Sequence, residues 1–186
     1  MTCLVKSETI PVAREREGVS RSLLAGANQV ILMKGMITLI EANRGAICLD
    51  ILKALPEWFG LPEAIADYAR SVEELPMFGF SVNGEIVGFL SLKSHTPVAA
   101  EAYVLGVKKP WQGQGAGKRL FEAAEASCRE TGMKFLTVKT LAASHPDPFY
   151  ARTRAFYEAI GFLPLEIFPT HFSYHLPCLL MVKALD

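Results

Sequence analysis

The chain has 186 residues, a length that suits one domain. Hydrophobic residues make up 51% of it and charged residues 20%, so a sizeable core can form and wholesale disorder is excluded. Lys plus Arg and Asp plus Glu number 19 each, which leaves no broad basic field for a nucleic-acid partner.

The cysteines and the apolar segments indicate the cellular compartment of the protein. Cys3, Cys48, Cys128 and Cys178 are scattered and form no Cys-x-x-Cys pair, which is typical of reduced thiols and predicts a cytoplasmic protein. The apolar stretch 30–40 is interrupted by Lys34 and Gly35, and it falls short of the ~20 residues of a membrane span. We therefore expect no membrane partner, and no secretory signal is recognisable.

The first part of the chain differs from the rest. Residues 1–35 carry mixed charges with weak periodicity, whereas a β-rich run begins at Met36. We predict a domain over residues 36–186, preceded by an N-terminal appendage. The alternative for the first segment is a genuine helix at about residues 19–30.

Hydrophobic periodicity and turn signals predict the remaining elements in chain order. Asn83-Gly84 is the strongest short hairpin signal among the turns. The predicted elements are a strand at 36–40, a helix at 47–55, a helix at 62–72, strands Met77–Val82 and 85–92, a strand Ala99–Val107, a helix at 117–131, a strand at 135–140, a helix at 151–160, and strands at 162–168 and 178–185. A hairpin beside a β-α-β-α-β pattern predicts an α/β (α+β) fold with a mixed sheet and helices on both faces.

The turn at residues 112–118 follows one predicted strand and opens a helix. Its three glycines would let the backbone approach an anion, and the helix N-terminus would add free N–H groups and a positive dipole end. Lys118 and Arg119 lie in the first helical turn, where cations oppose the dipole unless an anion binds. The Walker phosphate-binding pattern requires Gly and Ser or Thr at two positions where this chain has Gln112 and Arg119. The dinucleotide-binding pattern Gly-x-Gly-x-x-Gly requires Gly where this chain has Lys118. The turn therefore matches neither pattern.

What fits is Gln-x-x-Gly-x-Gly, at Gln112, Gly115 and Gly117. Together with the segment Phe156-Tyr157-Glu158-Ala159-Ile160-Gly161-Phe162, this turn resembles the GNAT superfamily of N-acetyltransferases over roughly residues 36–186. The resemblance implies a mixed, mostly antiparallel sheet with a splayed strand pair and flanking helices. Two positions depart from the family pattern: Tyr150 stands where many members have Asn, and Thr153 where a small Ala is common.

The resemblance implies acetyl-CoA as co-substrate and direct acetyl transfer to a primary amine on a small molecule or peptide. The backbone of Leu105 and Val107 would hold the pantetheine arm, with the Val107 N–H facing the thioester oxygen. Tyr157 would protonate the leaving thiolate, with its phenol in the cleft while Phe156 and Ile160 pack inward; the alternative is a purely packed aromatic side chain. The residues implied to bind the co-substrate are Leu105, Val107, Gln112, Gly113, Gln114, Gly115, Ala116, Gly117 and Lys118.

Glu101 is the candidate general base, because it lies eleven residues before Gln112, the spacing of the catalytic carboxylate in histone-type members. Desolvation in its apolar strand would make the carboxylate a stronger base. The alternatives are an outward-facing strand carboxylate and a water chain in its place. By analogy, Trp58 and Phe59 would either roof the acceptor site or pack in the core.

Several questions stay open at the level of the sequence. His171, His175 and Cys178 lack a complete ligand pattern, so no metal site is expected. The rival to an enzyme is a non-catalytic acyl-CoA-binding sensor or scaffold module. The neutral charge makes a polycationic acceptor less attractive, and the sequence leaves open whether the chain forms a homodimer.

Overall fold

The computed structural model describes residues 35–173 and 176–186, and only the backbone of residues 171–173. Seven strands and four α-helices lie within those residues. In chain order they are β1 (Met36–Leu39), α1 (Arg44–Lys53), α2 (Pro62–Ser71), β2 (Met77–Val82), β3 (Glu85–Thr96), β4 (Ala99–Val107), α3 (Ala116–Glu130), β5 (Phe135–Leu141), α4 (Pro148–Ala159), β6 (Leu163–Ser173) and β7 (Leu176–Ala184).

All strands belong to one sheet in the order β1-β2-β3-β4-β5-β7-β6. Every neighbouring pair is antiparallel except β4 and β5, which are joined by a helical crossover and run parallel. That parallel pairing is short, because only Ala99–Glu101 pair with Phe135–Thr137. Beyond Glu101 the two strands diverge, so the predicted mixed, mostly antiparallel sheet with a splayed strand pair is confirmed.

Helices cover both faces of the sheet, as predicted. One core cluster joins Leu120 and Phe121 of α3 to Leu136 of β5. The other joins Ile51 of α1 and Tyr68 of α2 to the opposite face. This distribution follows from the amphipathic pattern of the helices and buries the sheet from both sides.

Helix α1 packs directly on β4 beside the point of divergence. A Cβ atom built on Gly106 would lie 2.9 Å from Ile51 Cγ2 and 3.1 Å from Leu55 Cδ1. The glycine is needed there because any larger side chain would push α1 off the strand. A register shift between Ser91 and Leu92 in the β3–β4 pairing also lies close to this point.

Element ends differ from the predicted ones for local reasons. Helix α4 begins at Pro148 rather than at 151, because the Asp147 side chain caps it by accepting from Phe149 N and Tyr150 N. Strand β3 continues to Thr96 instead of stopping at 92, since its pairing with β4 resumes beyond the register shift. The helix considered at residues 19–30 and the side chains of His171 and His175 lie outside the described residues.

None of the helices in the described part of the chain is long and apolar enough to cross a membrane.

Candidate active site

A cleft of about 780 Å³ opens where β4 and β5 diverge. The Lys108 N–H donates to Val87 O at 2.8 Å, so the backbone of that residue faces β3. Because successive backbone groups alternate in direction, the N–H and C=O groups of Leu105 and Val107 face the cleft instead. Both residues line it, as the sequence led us to expect.

The glycine turn closes one end of this cleft. Gly113 has a φ of 70° and Gly115 a φ of 88°, a region in which other residues are strained. A Cβ at either glycine would meet nothing within 4 Å, so the turn needs glycine for its backbone conformation and presents an open face. Gly117 is constrained differently, because its Cβ would lie 3.1 Å from Phe156 Cζ on α4.

The two glutamines of the turn brace its backbone. Gln112 Nε2 donates to Val107 O at 2.8 Å, and Gln114 Nε2 donates to Pro110 O at 2.6 Å. Helix α3 begins directly after Gly115, which has no side chain with which to cap the first N–H groups. The N–H groups of Ala116, Gly117 and Lys118 therefore lie in the first turn of α3 without a side-chain cap, an arrangement that favours a negatively charged group.

The two cations at the start of α3 have different surroundings. The Lys118 side chain is 66% exposed and lies 3.9 Å from Glu122, so its ammonium can reach an anion at the turn. Arg119 does not serve there. Its Nη1 donates to Gly35 O at 2.6 Å, and its guanidinium lies over the Phe80 ring, next to the first described strand.

Helix α4 brings Tyr157 to the side wall of the cleft. The residue is only 5% exposed and lines the cleft, with the rings of Phe121, Phe156 and Phe162 at centroid distances of 5.6–5.9 Å. Phe156 and Ile160 pack against the core as expected, and both also line the cleft. Tyr157 thus both packs against the core and borders the cavity.

The end of α4 is held in place by its neighbours. Gly161 takes a φ of 95° directly after the helix, as its predicted stopping role requires. Lys183 Nζ of β7 donates to Ile160 O at 2.8 Å and so satisfies a carbonyl at the helix end. These contacts fix Tyr157 in the last turn of α4, two residues before its end.

Glu101 lies at the base of the divergence and is 4% exposed. Its Oε2 atom lies 2.8 Å from Lys139 Nζ on β5 and 2.6 Å from His95 Nε2 on β3. Glu101 and Lys139 both line the cleft. The carboxylate is therefore buried in an ion pair and is not the outward-facing strand residue that the sequence left as an alternative.

A loop between α1 and α2 roofs the other end of the cleft. Trp58 Nε1 donates to Thr153 Oγ1 at 3.0 Å, and Tyr150 Oη donates to Trp58 O at 3.0 Å. On the opposite lip, Glu57 forms an ion pair with Lys109, which lowers the pKa of the Glu57 carboxyl. The roof loop is thus joined to α4 on one side and, on the other, to Lys109, which precedes the glycine turn.

Sequence reasoning missed several residues of the cleft. Tyr103, Lys139, Thr140 and Arg152 all line it. Thr140 Oγ1 is buried and has no hydrogen-bond partner within the described residues, so a bound molecule could supply one. Lys139 could have been recognised from the sequence, because a lysine in an otherwise buried strand needs a partner of opposite charge.

Within residues 35–173 and 176–186, no group of three or more His, Cys, Asp or Glu side chains is arranged to hold a metal ion.

Comparison with known proteins identifies the class that this fold and cleft define. The family model described as acetyltransferase (GNAT) family matches residues 48–162, which is more than half of the chain. The chain therefore belongs to the GNAT family of acetyltransferases. No curated protein matches the sequence.

Solved structures of other family members share the fold. A GNAT-family protein from Desulfovibrio desulfuricans superposes with a TM-score of 0.71 at 16% identity, covering 82% of this chain and 99% of that one. The ribosomal-protein-S18-alanine N-acetyltransferase from Escherichia coli superposes with a TM-score of 0.65 at 20% identity, covering 82% and 94%. A GNAT acetyltransferase from Elizabethkingia anophelis with acetyl-CoA bound gives a TM-score of 0.65 at 21% identity, covering 81% and 98%.

Proposed function

We propose that the protein transfers the acetyl group of acetyl-CoA directly to the nitrogen of a primary amine. The observation that carries this proposal is the convergence of the glycine turn, the part of β4 beyond its pairing with β5, Tyr157 and Glu101 on one cleft. A buried carboxylate and a buried phenol on the same cavity supply the two proton-transfer groups that amide formation needs.

The chain has groups suited to each part of acetyl-CoA. The N–H groups of Ala116, Gly117 and Lys118 would hold the pyrophosphate, and the cleft-facing backbone of Leu105 would pair with the pantetheine arm. The Val107 N–H would donate to the thioester oxygen and stabilise the negative charge that develops on it. The unpartnered Thr140 Oγ1 is available for a further hydrogen bond in the same cleft.

The proton transfers follow from the positions of the two buried residues. Glu101 would accept the proton of the incoming ammonium, either directly or through a water chain, so that the nitrogen lone pair can attack the carbonyl carbon. As the C–N bond forms and the C–S bond breaks, Tyr157 would give its phenolic proton to the thiolate, and the second proton that the nitrogen loses would restore the phenol. No covalent acyl-enzyme is needed on this route.

A sensor that binds acyl-CoA without turnover is the rival from another class. It would require the turn and the strand edge, but it gives no role to the Glu101–Lys139 ion pair and the buried Tyr157 that line the same cleft. The two are separated by a thiol-release screen of the purified protein against a panel of amines with acetyl-CoA as donor. Amine-dependent release of CoA supports the enzyme, whereas binding of acetyl-CoA without release from any amine supports the sensor.

A further inference from the structure

The ionisable groups that line the cleft are biased toward cations. Among the described lining residues Glu101 is the only carboxylate, whereas Lys118, Lys139 and Arg152 are cationic. Lys118 belongs to the glycine turn, so the acceptor meets one carboxylate and two cations. A polyamine would bring several positive charges to a lining that has a single carboxylate.

The carboxylate of Glu101 is also already paired. Its Oε2 atom lies 2.8 Å from Lys139 Nζ, and the Lys139 side chain is only 27% exposed. An ammonium that approaches Glu101 therefore comes close to the ammonium of Lys139. If the incoming amine takes over Glu101, Lys139 is left half-buried without its counter-ion, which is unfavourable.

An acceptor that carries an anionic group beside its amine would give Lys139 a new counter-ion. We propose that the acceptor is an amine with an anionic group on the adjacent carbon, as in an α-amino acid, and that Lys139 binds that anion. The ammonium would contact Glu101 and the carboxylate would contact Lys139, so both members of the ion pair keep a partner of opposite charge. This inference rests on the proposed function, since it names the substrate class of the same site.

The remaining walls fit an apolar body on that acceptor. Trp58, Phe59, Tyr68 and Tyr103 line the cleft on the side of the roof, and the rings of Tyr68 and Tyr103 meet edge to face at 5.5 Å. Burying an aromatic or aliphatic side chain against these rings stabilises the complex. We therefore assign an apolar α-amino acid as the class of acceptor.

The experiment compares acceptors that differ only in the anion. At saturating acetyl-CoA, kcat/KM is measured for phenylalanine, phenylalaninamide and phenethylamine, for tryptophan and tryptamine, for leucine and isoamylamine, and for spermidine. We expect each amino acid to exceed its decarboxylated partner by about tenfold or more, mainly through a lower KM. A higher kcat/KM for spermidine, or for the amines that lack a carboxylate, would overturn the inference. The proposed acetyl transfer would still stand in that case.

Variants of Lys139 test its assigned role. Lys139→Met should lower kcat/KM for phenylalanine by about tenfold or more relative to kcat/KM for phenethylamine, so that the preference for the carboxylate is lost, and Lys139→Arg should restore that preference. Lys108→Met is the matched control, because Lys108 is also a half-buried lysine, paired with Asp50 and Glu85, but its side chain does not line the cleft. An equal loss for all acceptors in Lys139→Met, with an unchanged acetyl-CoA-induced rise in Tm, would contradict the assignment. If no amine is acetylated although acetyl-CoA binds, the proposed function itself fails.

Discussion

Trp58 and Thr153 are joined by a 3.0 Å hydrogen bond from the indole Nε1 to Oγ1, which links the roof loop to α4. Tyr150, one turn earlier on α4, donates to the backbone oxygen of the same tryptophan. Tyr150 and Thr153 are the two positions that depart from the family's sequence pattern. Both residues at these positions therefore join the roof loop to α4.

Trp58→Phe should loosen this closure without touching the chemistry. The substitution keeps an aromatic ring but removes the N–H donor, at a cost of about 1 kcal/mol in the free energy of unfolding. We expect KM for the acceptor to rise several-fold while the affinity for acetyl-CoA stays the same. Thr153→Val removes the other partner of this hydrogen bond. The double variant should therefore lose less free energy of unfolding than the sum of the losses in the two single variants. Strict additivity of the losses would mean that the hydrogen bond does not stabilise the fold.

Gly115→Val should abolish the rise in Tm that acetyl-CoA causes by mass action. Gly115 combines a positive φ with the position directly before α3, so a β-branched residue would distort the anion-binding end of the helix. Gly84→Val is a matched control, because Gly84 also has a positive φ, of 85°, and open space around it, but lies in the β2–β3 hairpin. Both variants should lose stability through strain, and only the first should lose the ligand-induced shift. A retained shift in Gly115→Val would place the phosphates elsewhere.

Tyr157→Phe should separate the chemical step from binding. The variant keeps the ring among its aromatic neighbours and removes only the hydroxyl, so Tm and acetyl-CoA affinity should change little. Turnover should fall by about 10²–10⁴-fold if the hydroxyl is the general acid. Tyr150→Phe removes a hydroxyl from the same helix as a control and should mainly affect KM. Near-full turnover of Tyr157→Phe, where chemistry limits the rate, would assign thiolate protonation to water.

The buried thiols should make stability fall at alkaline pH. Burial raises the pKa of Cys48 from 9.0 to about 12 and that of Cys178 to about 11. Between pH 9 and 12 the unfolded chain loses the Cys48 proton that the folded chain retains, so the free energy of unfolding falls by up to ~1.4 kcal/mol per pH unit for this thiol.

Denaturant unfolding of the protein and of Cys48→Ala checks this expectation. The difference in the free energy of unfolding between them should be constant from pH 7 to 8.5 and shrink above pH 9. A constant difference up to pH 11 would show that the folded thiol ionises as readily as the unfolded one.

Local signals were enough to predict much of this structure. The Asn83-Gly84 hairpin, strand β4 and the glycine turn each depend on neighbours in sequence, and their predicted positions agree with the structure. The early start of α4 was missed because a cap and a proline define it before any periodicity begins. The domain boundary at residue 36 stays a prediction.

The pairing of Glu101 with Lys139 could not be predicted in the same way. The two residues are 38 positions apart, and they meet only because β4 and β5 pair in parallel over three residues before they diverge. Whether Glu101 faced outward or inward depended on that register and on the register shift in the β3–β4 pairing. Tertiary pairing thus decided the surroundings of Glu101, whereas the conformation of the glycine turn followed from local sequence.

The most direct test of acetyl transfer in this cleft follows the acetyl carbon itself. The protein is mixed with acetyl-CoA labelled with ¹³C at the carbonyl and with an amine that scores in the thiol-release screen, or with phenylalanine if none does, and the labelled carbonyl is followed by NMR. Direct transfer predicts that the thioester signal is replaced by an amide signal, with one CoA thiol released for each amide formed. A thioester that persists while bound, or a label that appears only as free acetate, would contradict the proposed function.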